Sequence, residues 1–229
     1  MKKYIFSILV IIGIIILSGC TKSDALKFKE EYESLNGVEV NGKAHRTITI
    51  DKNNPFVYST GDEIVSKVEN KETFYLYVGD KQCPWCRSAI EMAIKKANEY
   101  GVKTIYYINI WDDDHNEIFR DKYELSEDGK LNRTLNGTEA YNKLLTYFDN
   151  VLSDYTLTSS DGKKIETGEK RIYAPNFFYV KDGVVKSFVT GNSDKQTDSR
   201  GELTEEILED EANQFDSLFK AATTCDGKC

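Results

Sequence analysis

The order of apolar and polar positions along the chain predicts an α/β domain. Residues 74–78 form a short uncharged run of the kind found in buried strands, and residues 104–110 form a second one. Between these runs, from Cys86 onward, apolar residues recur at helical spacing until Gly101 ends the pattern. A strand, a helix and a strand in this order predict a parallel, right-handed βαβ unit.

Three more amphipathic helices are predicted outside this unit. Residues 27–36 carry apolar positions at helical spacing before Gly37. Thr60 and Glu63 have the spacing of a capping box at the start of a second helix. The last helix begins after Thr204, and its acidic first turn suits the helix dipole.

Strands are predicted on both sides of the βαβ unit. Alternating Thr and Ile at residues 46–50, together with the segment 55–58, indicate two extended pieces near the N-terminus. Residues 176–180 and 184–189, joined by a Lys-Asp-Gly turn, predict an antiparallel hairpin.

A long polar interval, residues 112–170, separates the βαβ unit from this hairpin. Residues 141–152 contain a continuous apolar stripe at helical spacing, while Asp161-Gly162 indicates a turn between two strands. We therefore expect a mainly helical insertion at about residues 112–170.

Composition and charge exclude several classes of protein. The 229 residues are 40% hydrophobic and include 14 Tyr and 11 Phe, which excludes a disordered chain. A mean hydropathy of −0.50 excludes a protein with several membrane spans. The net charge of −8 argues against nucleic acid as a partner, because phosphates require a basic surface.

The N-terminus resembles the signal peptide of a bacterial lipoprotein. Two lysines precede the apolar run 4–17, which is too short to span a bilayer and leads into Leu-Ser-Gly-Cys20. The resemblance to a lipobox implies that residues 1–19 are removed and that Cys20 is acylated. The protein would then be anchored in the cell membrane and face the extracytoplasmic side, where disulfides persist. An uncleaved helix with a chance cysteine is the alternative.

The sequence Cys83-Pro84-Trp85-Cys86, between a predicted strand and a predicted helix, is typical of a thiol–disulfide device. Two intervening residues let the sulfurs meet with normal disulfide geometry. A helix N-terminus lowers the pKa of a thiol, so Cys83 is expected to attack and Cys86 to resolve the mixed disulfide. Trp85 is expected to offer apolar contact to substrate polypeptides, or else to pack over Cys86. A static disulfide is one alternative for the cysteine pair.

Residues 74–78, the Cys83–Cys86 motif, the following helix and Ala174-Pro175 ahead of a Lys-Asp-Gly hairpin resemble the thioredoxin-like superfamily. The resemblance implies a central mixed sheet flanked by helices. It also implies that Pro175 is cis and lies beside the cysteines, and that Ala174 pairs with substrate backbone. The lipobox together with this fold resembles membrane-anchored, thioredoxin-like lipoproteins.

Two departures from the family pattern limit what the resemblance implies. Many thioredoxins place a buried acid six residues before the first cysteine, where this chain has Tyr77. The dipeptide between the cysteines is Pro-Trp, which lacks the histidine of strong oxidants. We therefore expect no extreme oxidising power, and the direction of electron flow stays open.

A second cysteine pair, Cys225 and Cys229, ends the chain. Gly227 would allow a turn that brings the two sulfurs within bonding distance, as a small structural disulfide. An electron relay to the first pair is one alternative, and a four-thiolate zinc site shared with Cys83 and Cys86 is another.

The predicted division of the chain follows from these patterns: a signal peptide (1–19), a lipidated tether (20–27), an N-terminal extension (28–59), a thioredoxin-like domain (60–222) and a cysteine-containing tail (223–229). The expected function is exchange of disulfides with protein thiols outside the cytoplasm, with an extracytoplasmic redox partner and with no metal and no dissociable cofactor. The alternative is a non-catalytic thioredoxin-fold accessory lipoprotein whose disulfides are structural.

Overall fold

A computed structural model describes residues 22–223, and this part of the chain contains five helices and eleven strands. The helices are α1 (Asp24–Glu33), α2 (Gly61–Glu69), α3 (Pro84–Glu99), α4 (Glu139–Tyr147) and α5 (Glu205–Thr223). The strands are β1 (Glu39–Val40), β2 (Lys43–Ala44), β3 (Phe56–Tyr58), β4 (Phe74–Gly79), β5 (Ile105–Asn109), β6 (Lys122–Leu125), β7 (Leu131–Leu135), β8 (Ser153–Thr158), β9 (Lys164–Arg171), β10 (Asn176–Lys181) and β11 (Val184–Val189).

The uncharged run of β4 lies in the middle of a five-stranded mixed sheet. The strand order is β11-β10-β4-β5-β3, in which β3, β4 and β5 are parallel and β10 is antiparallel to both of its neighbours. Helix α3 connects β4 to β5, so the predicted parallel βαβ unit is confirmed. The chain therefore has an α/β fold with a central mixed sheet and helices.

Side chains of β4 alternate between two apolar cores, one on each face of the sheet. Tyr77 belongs to the core formed with α1, α3 and α5, whereas Leu76 and Val78 belong to the core formed with α2 and α4. A strand that is buried on both faces needs apolar or aromatic residues at every position, which explains the uncharged run.

Helix α2 forms as the capping box predicts. The Thr60 side chain accepts a hydrogen bond from the Glu63 backbone N–H, and the Glu63 carboxylate accepts one from the Thr60 N–H at 2.8 Å. Both orphan donors at this helix end are thereby satisfied.

The N-terminal segment departs from the prediction in two places. Helix α1 begins at Asp24, inside the segment predicted as a tether, because the Ser23 side chain caps it by accepting a hydrogen bond from Leu26 N–H. Residues 46–50 form no strand, although their Thr and Ile alternate. The backbone of Ile48 instead exchanges two hydrogen bonds with the Asn36 side chain, at 2.8 and 3.1 Å.

The prediction of a mainly helical insertion at residues 112–170 is wrong. This interval contains α4 and two antiparallel hairpins, β6–β7 and β8–β9. The second hairpin turns at the predicted Asp161-Gly162, and the first turns at Asp128-Gly129, a dipeptide of the same type. Gly129 has a φ of 77°, which suits glycine, and the Ser126 hydroxyl accepts a hydrogen bond from Lys130 N–H across the turn.

The predicted signal peptide (1–19), Cys20, Cys225 and Cys229 all lie outside the described residues. Within residues 22–223, no helix combines the length and the apolar composition needed to cross a bilayer.

A fully buried arginine joins the N-terminal segment to α3. The Arg87 guanidinium is 0% exposed and donates hydrogen bonds to the backbone carbonyls of Tyr32 (2.7 Å), Arg46 (2.6 Å) and Lys81 (3.2 Å). It also donates to Asn36 Oδ1 at 2.7 Å. One side chain thus satisfies four acceptors from three separate segments, which fixes α1 and the following loop against α3.

Replacing this arginine by an apolar residue of similar length leaves those acceptors buried and unpaired. We predict that Arg87→Met lowers the free energy of unfolding by about 3 kcal/mol or more, measured by urea denaturation. Lys95→Met, at an exposed position on the same helix, is the matched control and should have little effect. Equal stabilities of the two variants would contradict the role of Arg87.

Candidate functional site

The turn after β4 delivers both cysteines of the motif to the start of α3. Asp80 organises this turn, because its Oδ1 accepts a hydrogen bond from Gln82 N–H (2.6 Å) and its carbonyl accepts one from Cys83 N–H (3.3 Å). Cys83 is the N-cap residue of α3, and Pro84 occupies the first helical position, where a missing N–H costs nothing. Cys86 follows in the first turn.

The two thiols are free and differ in their surroundings. Cys83 Sγ accepts a hydrogen bond from Cys86 N–H at 3.4 Å and is 7% exposed, whereas Cys86 is 0% exposed. A hydrogen bond from the Cys86 thiol, helped by the backbone N–H groups of Cys86 and Trp85, lowers the pKa of Cys83 despite its burial. Burial and the neighbouring Cys83 raise the pKa of Cys86 well above the usual range. Cys83 is therefore the thiol that ionises first.

The Ala174–Pro175 peptide bond is cis, as the resemblance implies, and it lies beside the cysteines. The Cys83 thiol donates a hydrogen bond to the Ala174 carbonyl at 3.6 Å. Strand pairing explains this placement, because Asn176 at the start of β10 lies opposite Val78 near the end of β4. The residues just before β10 and just after β4 are consequently neighbours.

Trp85 is partly buried and packs against the core that contains Cys86. Its backbone carbonyl accepts a hydrogen bond from the Asn192 side chain at 3.0 Å, which connects the motif to the loop after β11. The structure therefore brings Cys83, Trp85, Cys86, Ala174 and Pro175 together at one end of the sheet.

Asp80 is a site residue that the sequence analysis missed. Its side chain is 0% exposed, and Oδ2 has no hydrogen-bond partner among the described residues. Burial raises the pKa of this carboxyl to about 6, and its negative charge in turn raises the pKa of Cys83. An acid in a polar loop is ordinarily solvated, so the sequence signals the turn but not the burial.

Tyr77, six residues before Cys83, is also 0% exposed. A hydrogen bond from its hydroxyl lowers the pKa of the Cys86 thiol, and this hydroxyl lies 2.9 Å from the hydroxyl of Tyr32, a residue of α1. The Cys86 thiol therefore has an uncharged hydroxyl group as its neighbour on β4.

No protein-family model and no curated protein sequence matches the chain. Among solved structures, oxidised thioredoxin O2 from Arabidopsis thaliana is similar at 17% sequence identity. The match covers 59% of this chain and 82% of that one, with a TM-score of 0.32.

The buried Asp80 carboxyl predicts a specific pH dependence of stability. Because its pKa is higher in the folded chain than the usual value near 4, folding becomes less favourable as pH rises through about 4 to 6. We predict that the free energy of unfolding of Asp80→Asn, relative to wild type, increases by about 2 kcal/mol between about pH 4 and pH 8. Urea unfolding across this range measures the difference. A difference that does not change with pH would contradict the prediction.

Proposed function

We propose that the chain is a thiol–disulfide oxidoreductase of thioredoxin-like fold that exchanges disulfides with protein substrates outside the cytoplasm. The observation that carries this proposal is a pair of free thiols at a helix start beside a cis Ala174–Pro175 bond. One of these thiols, Cys83, has a lowered pKa, and the other is buried directly behind it.

The topology supports a thioredoxin-like arrangement of this site. The cysteine motif follows a central parallel strand, β4, and the cis bond immediately precedes the adjacent antiparallel strand, β10. The residues between β5 and β10, which carry α4 and two hairpins, form an insertion in this arrangement.

In the proposed reaction, the Cys83 thiolate attacks one sulfur of a substrate disulfide. The substrate S–S bond breaks, the departing sulfur keeps the bonding electron pair and takes up a proton, and Cys83 becomes joined to the substrate. Cys86 then loses its proton and attacks the Cys83 sulfur, so the second substrate sulfur leaves and takes up a proton. The protein is oxidised to a Cys83–Cys86 disulfide as the substrate gains two electrons, and the reverse sequence oxidises a substrate dithiol.

The Ala174 backbone is the proposed contact for substrate polypeptide, because its carbonyl lies next to the attacking sulfur. Trp85, which is partly exposed next to Cys86, adds apolar surface. This arrangement favours an extended segment of protein over a small thiol as substrate, and no dissociable cofactor or metal is part of the proposed reaction.

Electrostatics around Cys83 favour a moderate reduction potential. Hydrogen bonds stabilise the thiolate, but the Asp80 charge opposes it, and the motif supplies no histidine. A less stabilised thiolate makes the reduced form less favourable, so the chain should be a weaker oxidant than enzymes with a strongly stabilised thiolate.

We further propose a lipid-anchored, extracytoplasmic location, which the N-terminal lipobox pattern supports. The acyl chains on Cys20 would hold the protein at the bilayer, since a chain with a net charge of −8 is not attracted to anionic lipid. A membrane or extracytoplasmic redox partner would then reset the cysteine pair after each turnover.

Substituting Cys83 and Cys86 one at a time distinguishes the proposed oxidoreductase function from a non-catalytic binding role. We predict that Cys83→Ser abolishes the reduction of insulin disulfides by dithiothreitol that the wild-type chain catalyses. Cys86→Ser should instead accumulate a mixed disulfide on Cys83, because the attacking thiol remains and the resolving thiol is gone. Full activity of Cys83→Ser would favour the accessory-protein alternative.

The anchoring proposal predicts a change of location on substitution of Cys20. We expect wild-type protein to incorporate labelled palmitate and to sediment with membranes in a bacterial host that processes lipoproteins. Cys20→Ser should lose the label and leave the membrane fraction, as acylation supplies the anchor. Membrane association of unlabelled Cys20→Ser would instead favour the uncleaved N-terminal helix.

A further inference from the structure

Two buried tyrosine hydroxyls lie in series behind the sulfur of Cys86. Tyr77 of β4 and Tyr32 of α1 are both 0% exposed, and their hydroxyl oxygens are 2.9 Å apart. Tyr77 and Cys86 belong to the same buried core, and a hydrogen bond from the Tyr77 hydroxyl lowers the pKa of the Cys86 thiol. The order of contact is therefore Tyr32 to Tyr77 to Cys86.

Gly79, the last residue of β4, leaves the space that the Tyr77 ring occupies. A Cβ atom on Gly79 would lie 2.1 Å from the Tyr77 hydroxyl oxygen, so a residue with a side chain would displace the ring. The ring also stacks on Phe177 and Tyr107, at centroid distances of 4.4 and 5.2 Å. Packing thus fixes the direction of the hydroxyl towards α3.

Tyr32 is held just as firmly, although it comes from a helix that precedes the βαβ unit. Its carbonyl accepts the 2.7 Å hydrogen bond from Arg87, the residue after Cys86. Its ring stacks on Phe28 at a centroid distance of 4.3 Å. The same interaction that fixes α1 against α3 therefore also fixes the Tyr32 hydroxyl near the cysteine pair.

The resolving step needs such a group. Cys86 attacks as a thiolate, and burial disfavours that charge unless hydrogen-bond donors surround the sulfur. A hydroxyl donor stabilises the thiolate without adding the second negative charge that a carboxylate would bring. Besides burial, the groups that shift the pKa of Cys86 are Cys83 on its own helix, Tyr77 of β4 and the Asp80 backbone, which adds a hydrogen bond. The charge of Cys86 in turn raises the pKa of the tyrosines of α1, β4 and β5.

We propose that Tyr77 is a catalytic hydrogen-bond donor to the Cys86 sulfur during resolution, and that Tyr32 is the positioning residue that orients the Tyr77 hydroxyl. This inference rests on the proposed oxidoreductase function. As the Cys86 S–H bond breaks, Tyr77 donates a hydrogen bond to the Cys86 sulfur, and Tyr32 donates a hydrogen bond to the Tyr77 oxygen. The proton lost by Cys86 is balanced by the proton that the departing substrate sulfur takes up. The Cys83–Cys86 bond forms, the mixed disulfide breaks, and the departing substrate sulfur ends with a proton, so that protons balance across the step.

Reaction with dithiobis(nitrobenzoate) separates the two chemical steps. The reduced full-length chain, with Cys20, Cys225 and Cys229 replaced by serine, releases one thionitrobenzoate when Cys83 attacks and a second when Cys86 resolves. We expect Tyr77→Phe to leave the first phase unchanged and to slow the second about tenfold at about pH 7. The pH midpoint of the second phase should rise by about one unit, and the rates should converge at high pH.

Two further variants complete the test. Tyr32→Phe should shift the midpoint in the same direction by a smaller amount. Tyr107→Phe is the matched control, because Tyr107 belongs to the same buried cluster but its hydroxyl donates to Asn109 Oδ1 at 3.1 Å. Its midpoint should stay at the wild-type value, whereas a loss of packing alone would affect Tyr77→Phe and Tyr107→Phe alike.

The outcomes distinguish this inference from the proposed function. An unchanged second-phase midpoint in Tyr77→Phe, or an equal shift in Tyr107→Phe, would overturn the role of the hydroxyl pair while leaving the oxidoreductase function in place. Absence of the first phase from the parent protein would overturn the proposed function and this inference with it.

Discussion

The buried guanidinium of Arg87 is the interaction on which the geometry of the site depends most. A cation removed from water normally needs a carboxylate partner, yet this one is satisfied by three backbone carbonyls and an amide oxygen. The acceptors come from α1, from the segment of residues 36–46 and from the turn before the cysteines. Because carbonyl positions are fixed by the backbone, the arrangement specifies one docking of the N-terminal segment on α3 and tolerates no shorter cation.

That docking gives the two cysteines opposite environments within a single helical turn. Cys83 caps the helix, is 7% exposed and accepts a hydrogen bond from the Cys86 N–H, whereas Cys86 is 0% exposed within the core. Asp80 and Tyr77 then shift the pKa values of the two thiols separately. The Asp80 carboxylate raises the pKa of Cys83, and the Tyr77 hydroxyl lowers the pKa of Cys86. A thiol pair in one uniform environment would lack a defined order of attack and resolution.

Local residue patterns predict most of the helices and strands of this molecule. The features that these patterns miss depend on contacts between residues that are far apart in the sequence. The capping box at Thr60, the βαβ unit and the hairpin after Pro175 depend on neighbouring residues, so spacing alone indicates them. Residues 46–50 alternate like a strand, but Asn36 occupies the backbone groups that a neighbouring strand would need. Asp128-Gly129 is the same turn dipeptide as Asp161-Gly162 and therefore also indicates a hairpin. The apolar stripe at residues 141–152 favours a helix, and it accounts for only one part of the interval. The sequence does not identify Asp80 and Tyr32 as site residues. Tertiary packing buries Asp80, and tertiary packing also brings Tyr32 next to Tyr77.

The early start of α1 also bears on the reach of the protein. If Cys20 carries the lipid as proposed, only residues 21–23 separate the acylated residue from α1, which is fixed against α3. Four residue steps of fully extended chain span no more than about 14 Å, which is roughly twice the thickness of one lipid headgroup layer. The cysteine pair would then work close to the membrane surface, and the substrates available to it would be proteins that emerge from the bilayer or lie against it.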